Sequence, residues 1–436
     1  AILAPQGLDY VISFFAAIQA GSIAVPLFDP DEPGHTDRLH AVLGDCKPTA
    51  ILTAASSAAG VRQLFRSLPA AERPRIIAVD AIPDTVGETW VRPDIELDDI
   101  AYLQYTSGST RTAAGVMVSH RNVSANYEQM IAVFFSEWGK VAPADSTVVT
   151  WLPLYHDMGL IMIMFPALCG GQISLMDPMA FVRRPYRWIR RLADEAAHGR
   201  TFAAAPNFAF ELCAQRGLPP AGEPLDLSNV VTLLNGSEPV TLPSIEQFME
   251  AFTPYGLPET VVKPSYGMAE ATLSVASIAP NEKPCATYLD REELAAGRAV
   301  VVGRHADGAV PHVSCGRAIP DQWVTIVTPD GDEAADGTVG EIWLHGNNIG
   351  QGYFGRPEES ERVFGNKLQT RQTVSHADGA EDNALWLATG DLGVYVHGEL
   401  FVTGRIKDLV IVDGRNCLSP DEWRGAGWNY RGLGRP

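Results

Sequence analysis

Leu8, Val11, Ile12, Phe15 and Ile18 recur three and four residues apart in the opening stretch QGLDYVISFFAAIQAGSIAVPLFDP. This spacing predicts a helix that buries those five side chains, is stopped by Gly21 and leads into a strand-like run over 23–27. Short apolar runs follow at 50–53, 75–79, 100–105, 147–152, 172–176, 201–204, 230–234 and 261–264, separated by helix-length segments. Parallel strands need crossover connections, so the alternation predicts a large α/β body of stacked sheets over 1–285. Beyond about residue 285 the pattern shortens to strands and Gly or Asp turns, as in TPDGDEAADGTVGEIWLHG and GVYVHGELFVTG. A small β-rich, barrel-like subdomain is expected over 286–404. The chain opens inside what reads as a strand, ILAP, and closes on GAGWNYRGLGRP, which has no periodicity. The expectation is a body truncated at its N-terminal edge and, over 405–436, a hinge followed by an incomplete or non-native segment.

Composition narrows the classes. Of 436 residues, 46% are hydrophobic and 19% charged, which are values of a folded globular chain and not of a disordered one. The formal charge of -19 opposes nucleic-acid binding, because most of the surface repels a phosphate backbone. The longest apolar run, MGLIMIMFPALCGG (158–171), is shorter than the roughly 20 residues a membrane span requires, and no basic-then-apolar leader opens the chain, so the protein is not expected to be membrane-embedded. Six cysteines with no CxxC pair indicate neither a zinc knuckle nor a disulfide framework and fit a reducing cytoplasm.

The most informative chemistry lies in YTSGSTRTAAGVMVSH (105–120). Small hydroxyl and glycine residues follow a strand-like run there, so backbone N–H groups and the hydroxyls of Thr106, Ser107, Ser109 and Thr110 can converge on phosphate oxygens. The stretch is no Walker A motif, since GxxxxGK is absent. Downstream come LPLYHDMG (152–159), NGSEPV (235–240), PSYGMAEA (264–271), TGD (389–391) and GRIKDLVIVDGRN (404–416), in that order.

Together these motifs resemble the adenylate-forming superfamily of acyl-CoA synthetases, luciferases and peptide-synthetase adenylation domains. TSGSTRTAAGV, SYGMAEAT and GRIKDLVI are most similar to the fatty acyl-AMP ligases, and FVRRP, APNFAFEL and LNGSEPV to the branch serving mycolic-acid synthesis. The resemblance implies activation of a long-chain fatty acid by ATP and Mg2+ to acyl-adenylate, for transfer to an acyl carrier protein domain of a polyketide synthase. It also implies a small α+β C-terminal domain, missing from this sequence, whose lysine would polarise the carboxylate. The segment from about 288 to 320 resembles the insertion that separates acyl-AMP ligases from acyl-CoA synthetases.

Carried over residue by residue, the resemblance makes Glu270 the Mg2+-linked carboxylate together with Thr106, and Glu270, His156, Thr106 and Arg111 the catalytic group. Thr106, Ser107, Gly108, Ser109 and Thr110 would cradle the phosphates. Gly236, Ser237, Glu238, Gly267, Met268 and Ala269 would line the adenosine pocket, with Tyr266 stacked on adenine. Asp391 would accept the ribose hydroxyls beside Arg405, and Lys407 marks the interdomain hinge. Where the wider family reads TSGSTGxPKG, Arg111, Ala113 and Ala114 replace Gly, Pro and Lys, and Arg111 would take over the γ-phosphate contact. Two readings stand beside this one: a long-chain acyl-CoA synthetase, and a non-catalytic nucleotide-binding scaffold. Plain alternatives hold for single residues too, since Tyr266 could be a core tyrosine and Asp391 a turn aspartate. For the acyl chain, Met162, Met164, Phe202, Phe208 and Phe210 are the apolar candidates.

Overall fold

A computed structural model describes residues 1–32, 36–106 and 113–406, together with a parallel strand pair, Val410–Asp413 and Asn429–Gly432. The central element is a seven-stranded sheet in the order Arg317–Ala318, Ser274–Ser277, Val262–Gly267, Val230–Gly236, Arg200–Pro206, Ser146–Thr150, Gln172–Leu175. The last five strands of that order run parallel, and the first two are antiparallel. Helices Asp157–Cys169, Tyr186–Ala196, Asn207–Arg216 and Leu242–Phe252 provide the crossovers, as the alternation of runs predicts. An aromatic chain fills the space under them: Phe181 stacks on Trp151 at 3.9 Å, Trp188 meets Phe181 and Phe210 edge-on, and Phe210 meets Phe248.

Beyond the run at 23–27, which makes only isolated bridges of Ala24 to Tyr102 and Pro26 to Ile2, the N-terminal region differs from its sequence reading in two places. Helix Leu8–Gln19 forms, but it buries Tyr10, Ser13 and Phe14, and leaves Leu8 71% and Ile12 49% exposed. Val11, Phe15 and Ile18 of the predicted stripe pack partly buried against the core, and Tyr10 goes fully inside because its hydroxyl finds the Leu27 carbonyl at 2.8 Å, while Ser13 satisfies itself within the helix on the Asp9 carbonyl at 2.6 Å. The second difference is an antiparallel hairpin, Ile100–Tyr105 with Gly115–Ser119, whose second strand is absent from the sequence reading. The ILAP segment contributes isolated bridges of Ile2 to Leu52 and Pro26. Strands Ala50–Thr53 and Arg75–Ala78 pair in parallel.

Past residue 285 a hairpin, Ala286–Asp290 with Ala309–Val313, packs against helix Leu242–Phe252. A four-stranded antiparallel meander follows: Gln322–Val327, Gly340–Gly346, Leu387–Val396 and Glu399–Arg405. Two buried charges organise this half. The Lys263 ammonium, fully buried, donates to the carbonyls of Ala279, Pro280 and Glu282 at 2.7 to 2.8 Å. The Glu333 carboxylate, also buried, accepts from Thr325 and Ser375 hydroxyls and from the Gln372 and His376 amides, at 2.6 to 3.1 Å. Among the described residues no helix is long and apolar enough to cross a membrane.

Candidate active site

Ligand sites of parallel sheets lie at the carboxyl ends of the strands, and the predicted residues gather there. Strand Val262–Gly267 ends at a glycine for a steric reason: a Cβ at Gly267 would stand 2.1 Å from the Leu273 carbonyl oxygen. The turn that follows, Ala269–Ala271, closes at Thr272, a β-branched residue held at φ 66. Such a conformation persists only where the surroundings fix it. Here the Thr272 hydroxyl donates to the Asn348 carbonyl at 2.7 Å, the Asn348 amide to Ala271 at 3.2 Å, and Gly350 N–H to the Glu270 carbonyl at 2.8 Å.

This clamped turn presents Glu270, whose Oε1 accepts from the Tyr353 hydroxyl at 2.9 Å. Burial raises the Glu270 pKa, the Tyr353 hydrogen bond opposes that rise, and the nearby charges of Asp157 and Asp391 add to it. Asp157, in the first turn of helix Asp157–Cys169, is likewise raised by burial. Asp157 and Asp391 therefore both disfavour the charge on Glu270.

On the opposite wall Asp391 and Arg405 are cross-strand neighbours paired at 3.0 Å, and the Tyr266 hydroxyl donates to the other Asp391 oxygen at 2.8 Å. Tyr266 is buried in one hydrophobic cluster with Val275 and Ala276. The structure thus joins the adenine and ribose candidates into one hydrogen-bonded unit. Burial lifts the Tyr266 phenol far above its ordinary range, with the Asp391 charge adding to it, so Tyr266 is a donor there.

Gly236 ends strand Val230–Gly236, where a Cβ would lie 3.0 Å from the Ser265 carbonyl. Ser237 is exposed at φ 65 with its hydroxyl directed to the Met158 sulfur at 3.5 Å. Glu238 is exposed and accepts from Phe208 N–H at 2.6 Å, satisfying the first turn of helix Asn207–Arg216. Met268 N–H donates to the Leu273 carbonyl at 2.9 Å, and Ala269 is buried. His156 caps the start of helix Asp157–Cys169, its ring 4.8 Å from that of Tyr155. Thr106 N–H meets the Ala114 carbonyl at 3.4 Å across the neck of the hydroxyl-rich loop. Ser107, Gly108, Ser109, Thr110, Arg111 and Lys407 lie outside the described residues.

Toward the amino ends of the strands an apolar cavity lies between the sheet and the helices His120–Phe134 and Asp157–Cys169, lined among others by Met130, Phe135, Met162, Phe165, Phe202 and Leu234. Of the acyl candidates, Met162 and Phe202 line it, and Met164, Phe208 and Phe210 do not. Sequence reasoning missed Asp157 and Tyr353. Asp157 was readable, being the acidic partner in the HD pair of LPLYHDMG, whereas Tyr353 reaches Glu270 across 83 residues with no motif to mark it.

Residues 1–354 match the AMP-binding enzyme family. The chain belongs to that family. This AMP-binding enzyme is 54% identical over 424 residues to the long-chain-fatty-acid–AMP ligase FadD32 of Mycobacterium marinum, covering 97% of the chain and 66% of that relative. It therefore spans about two thirds of the length of the curated relatives it matches. Among solved structures it is similar to a fatty acid AMP ligase from Legionella pneumophila, with TM-score 0.83, 34% identity and coverage of 93% of this chain and 67% of the other. A fatty acyl-adenylate ligase of the same organism, in complex with acyl adenylate and pyrophosphate, gives TM-score 0.82 at 33% identity, covering 93% and 68%.

Proposed function

We propose that this AMP-binding enzyme joins a long-chain fatty acid to AMP, releasing pyrophosphate, and passes the acyl group to an acyl carrier protein domain of a polyketide synthase. The observation that carries the reading is the gathering of Glu270, held by Tyr353, and the Tyr266–Asp391–Arg405 unit at the carboxyl ends of the parallel strands. A fatty carboxylate oxygen attacks the α-phosphorus of ATP, forming one P–O bond as the bond to pyrophosphate breaks. No covalent enzyme intermediate is needed, so the protein's contribution is alignment and charge compensation.

Asp391 accepts the ribose hydroxyls, Tyr266, Gly267, Met268 and Ala269 bound the adenosine with Gly236, Ser237 and Glu238, and His156 closes the acyl side. Glu270 and Thr106 are the residues that would hold Mg2+. The fit is a matter of donor chemistry: oxygen ligands suit a hard cation, and a cation there would offset the effect of Asp157 and Asp391 on Glu270. When bound, Mg2+ neutralises charge on the phosphates. Arg111, the phosphate contacts from Ser107 to Thr110 and the Lys407 hinge complete the proposal, which also places the enzyme in the cytoplasm and in mycolic-acid synthesis. Mass spectrometry of products from ATP, Mg2+ and a fatty-acid panel tests it: acyl-AMP is expected with or without coenzyme A. Efficient acyl-CoA formation would reassign the protein as an acyl-CoA synthetase, and no adenylate from any acid would leave a nucleotide-binding scaffold.

Two further outcomes follow from the geometry. Asp391→Ala removes a charged acceptor, so ATP-analogue binding measured by calorimetry should weaken by about 1.5 to 3 kcal/mol. An unchanged dissociation constant would leave Asp391 as a strand residue that only partners Tyr266 and Arg405. Ionised Glu270 is the competent form, and its pKa is raised, so kcat/KM should fall on acidification at a pH above the ordinary glutamate value of about 4.3. In Tyr353→Phe the opposing hydrogen bond is gone, which lets the pKa rise further. The acid limb should then move up by roughly one pH unit, about the 1.4 kcal/mol of one hydrogen bond to a charged group. A limb that stays in place removes Tyr353 from the site.

A further inference from the structure

We infer that an arginine face beside the site docks an acidic protein, the acceptor that collects the activated acyl group. The inference rests on the acyl-transfer reading above. In a chain of formal charge -19, residues 178–193 contain Arg183, Arg184, Arg187, Arg190 and Arg191 and no Asp or Glu. Arg190 and Arg191 are held by Asp194, Glu223 and Glu195 at 2.6 to 3.2 Å. Arg183, Arg184 and Arg187 are exposed, and among the described residues no carboxylate lies within ion-pair distance of them. Arg216, exposed as well, donates to the Arg183 carbonyl at 3.3 Å and brings a fourth guanidinium to the same face.

The face is tied to the site by direct contacts. Phe181, two residues before Arg183, stacks on Trp151, which meets Phe208 edge-on at 6.2 Å, and Phe208 N–H is the donor to Glu238. A partner seated on the arginines therefore stands beside the carboxyl-end site, next to Phe208 and Glu238. Its chemistry is carboxylate-rich protein and not lipid. A helix that lies on a bilayer sinks a continuous apolar face into it, whereas helix Tyr186–Ala196 already buries Tyr186, Trp188, Ile189 and Leu192 in the core, and of the described residues 178–216 only Met179, Val182 and Phe208 are exposed large apolar side chains around the arginines. The rest of the surface, at -19, is repelled by anionic headgroups, while guanidinium forks pair with carboxylates in fixed geometry.

The test measures binding of a phosphopantetheine-bearing acyl carrier protein domain to this protein at low and high salt. Affinity should fall as salt rises. The triple variant Arg183→Glu, Arg184→Glu, Arg187→Glu should weaken it at least about tenfold at low salt and flatten the salt dependence, with acyl-AMP formation unchanged. Arg183→Gln with Arg184→Gln, which spares the helix, should show the same direction at smaller size if the triple variant folds poorly. Equal affinity of wild type and both variants overturns the inference. So do phosphatidylglycerol vesicles or duplex DNA that bind more tightly than the carrier domain and are lost on the same reversal. Failure of the wild type to form acyl-AMP counts against the acyl-transfer reading and is read in a separate assay.

Discussion

Glu270→Ala is expected to lower acyl-adenylate formation by about 10²–10³-fold while the chain still melts cooperatively near the wild-type temperature. The size is that of removing one preorganised electrostatic element from a site where charge develops. The small stability change follows from the balance at the residue. Glu270 accepts one hydrogen bond, from Tyr353, and its charge is disfavoured by burial and by Asp157 and Asp391. Truncation leaves one phenol short of a partner but relieves that repulsion. Pyrophosphate exchange together with a thermal melt checks both halves. Retained exchange would make Glu270 a structural carboxylate, and a collapsed melt would make the lost activity uninformative.

Glu333→Ala should do the opposite, lowering stability by about 3–5 kcal/mol with no direct effect on the chemistry of any molecule that remains folded. Both carboxylates are enclosed, yet Glu333 accepts four hydrogen bonds, two on each oxygen, from residues as far apart as Thr325 and His376. It is the point at which the loop through Gln372, Ser375 and His376 is fastened to the antiparallel meander. Truncation orphans two amides and two hydroxyls at once, and each unsatisfied buried group costs about 1–3 kcal/mol. Glu333→Gln, which keeps one good acceptor, should fall between. Denaturant unfolding of the three proteins orders them, and a Glu333→Ala midpoint equal to wild type would show that water replaces the carboxylate without loss. The contrast gives a rule for this chain: the carboxylate whose lone pairs are filled by protein donors holds the fold, and the one left under-coordinated among other carboxylates is available to a ligand.

How much of this was legible in the sequence varied with the range of the interactions. The five parallel strands could be read because they are covered on both faces, which makes them continuous apolar runs bounded by helix-length gaps. The site motifs could be read because each is a local stretch with a chemical reason for its composition. The strand Gly115–Ser119 was hidden because it follows the hydroxyl-rich loop directly and reads as part of the motif. On the first helix, Leu8 and Ile12 completed a plausible apolar stripe, and the acceptor that Leu27 offers Tyr10 lies outside the helix and is not recorded in its periodicity. Tyr353 and Glu333 depend on partners tens of residues away, which no periodicity records.

The Lys263 ammonium ties the three carbonyls of the segment after strand Ser274–Ser277 to the middle of the central sheet. That segment leads into the hairpin beginning at Ala286, so the hairpin's root is no hinge. Opening it requires withdrawing a charge from strand Val262–Gly267, the same strand that carries Tyr266 and ends at Gly267. Amide exchange at the root should therefore track the slow exchange of the sheet and not the faster exchange of exposed loops, making the two regions one cooperative unit.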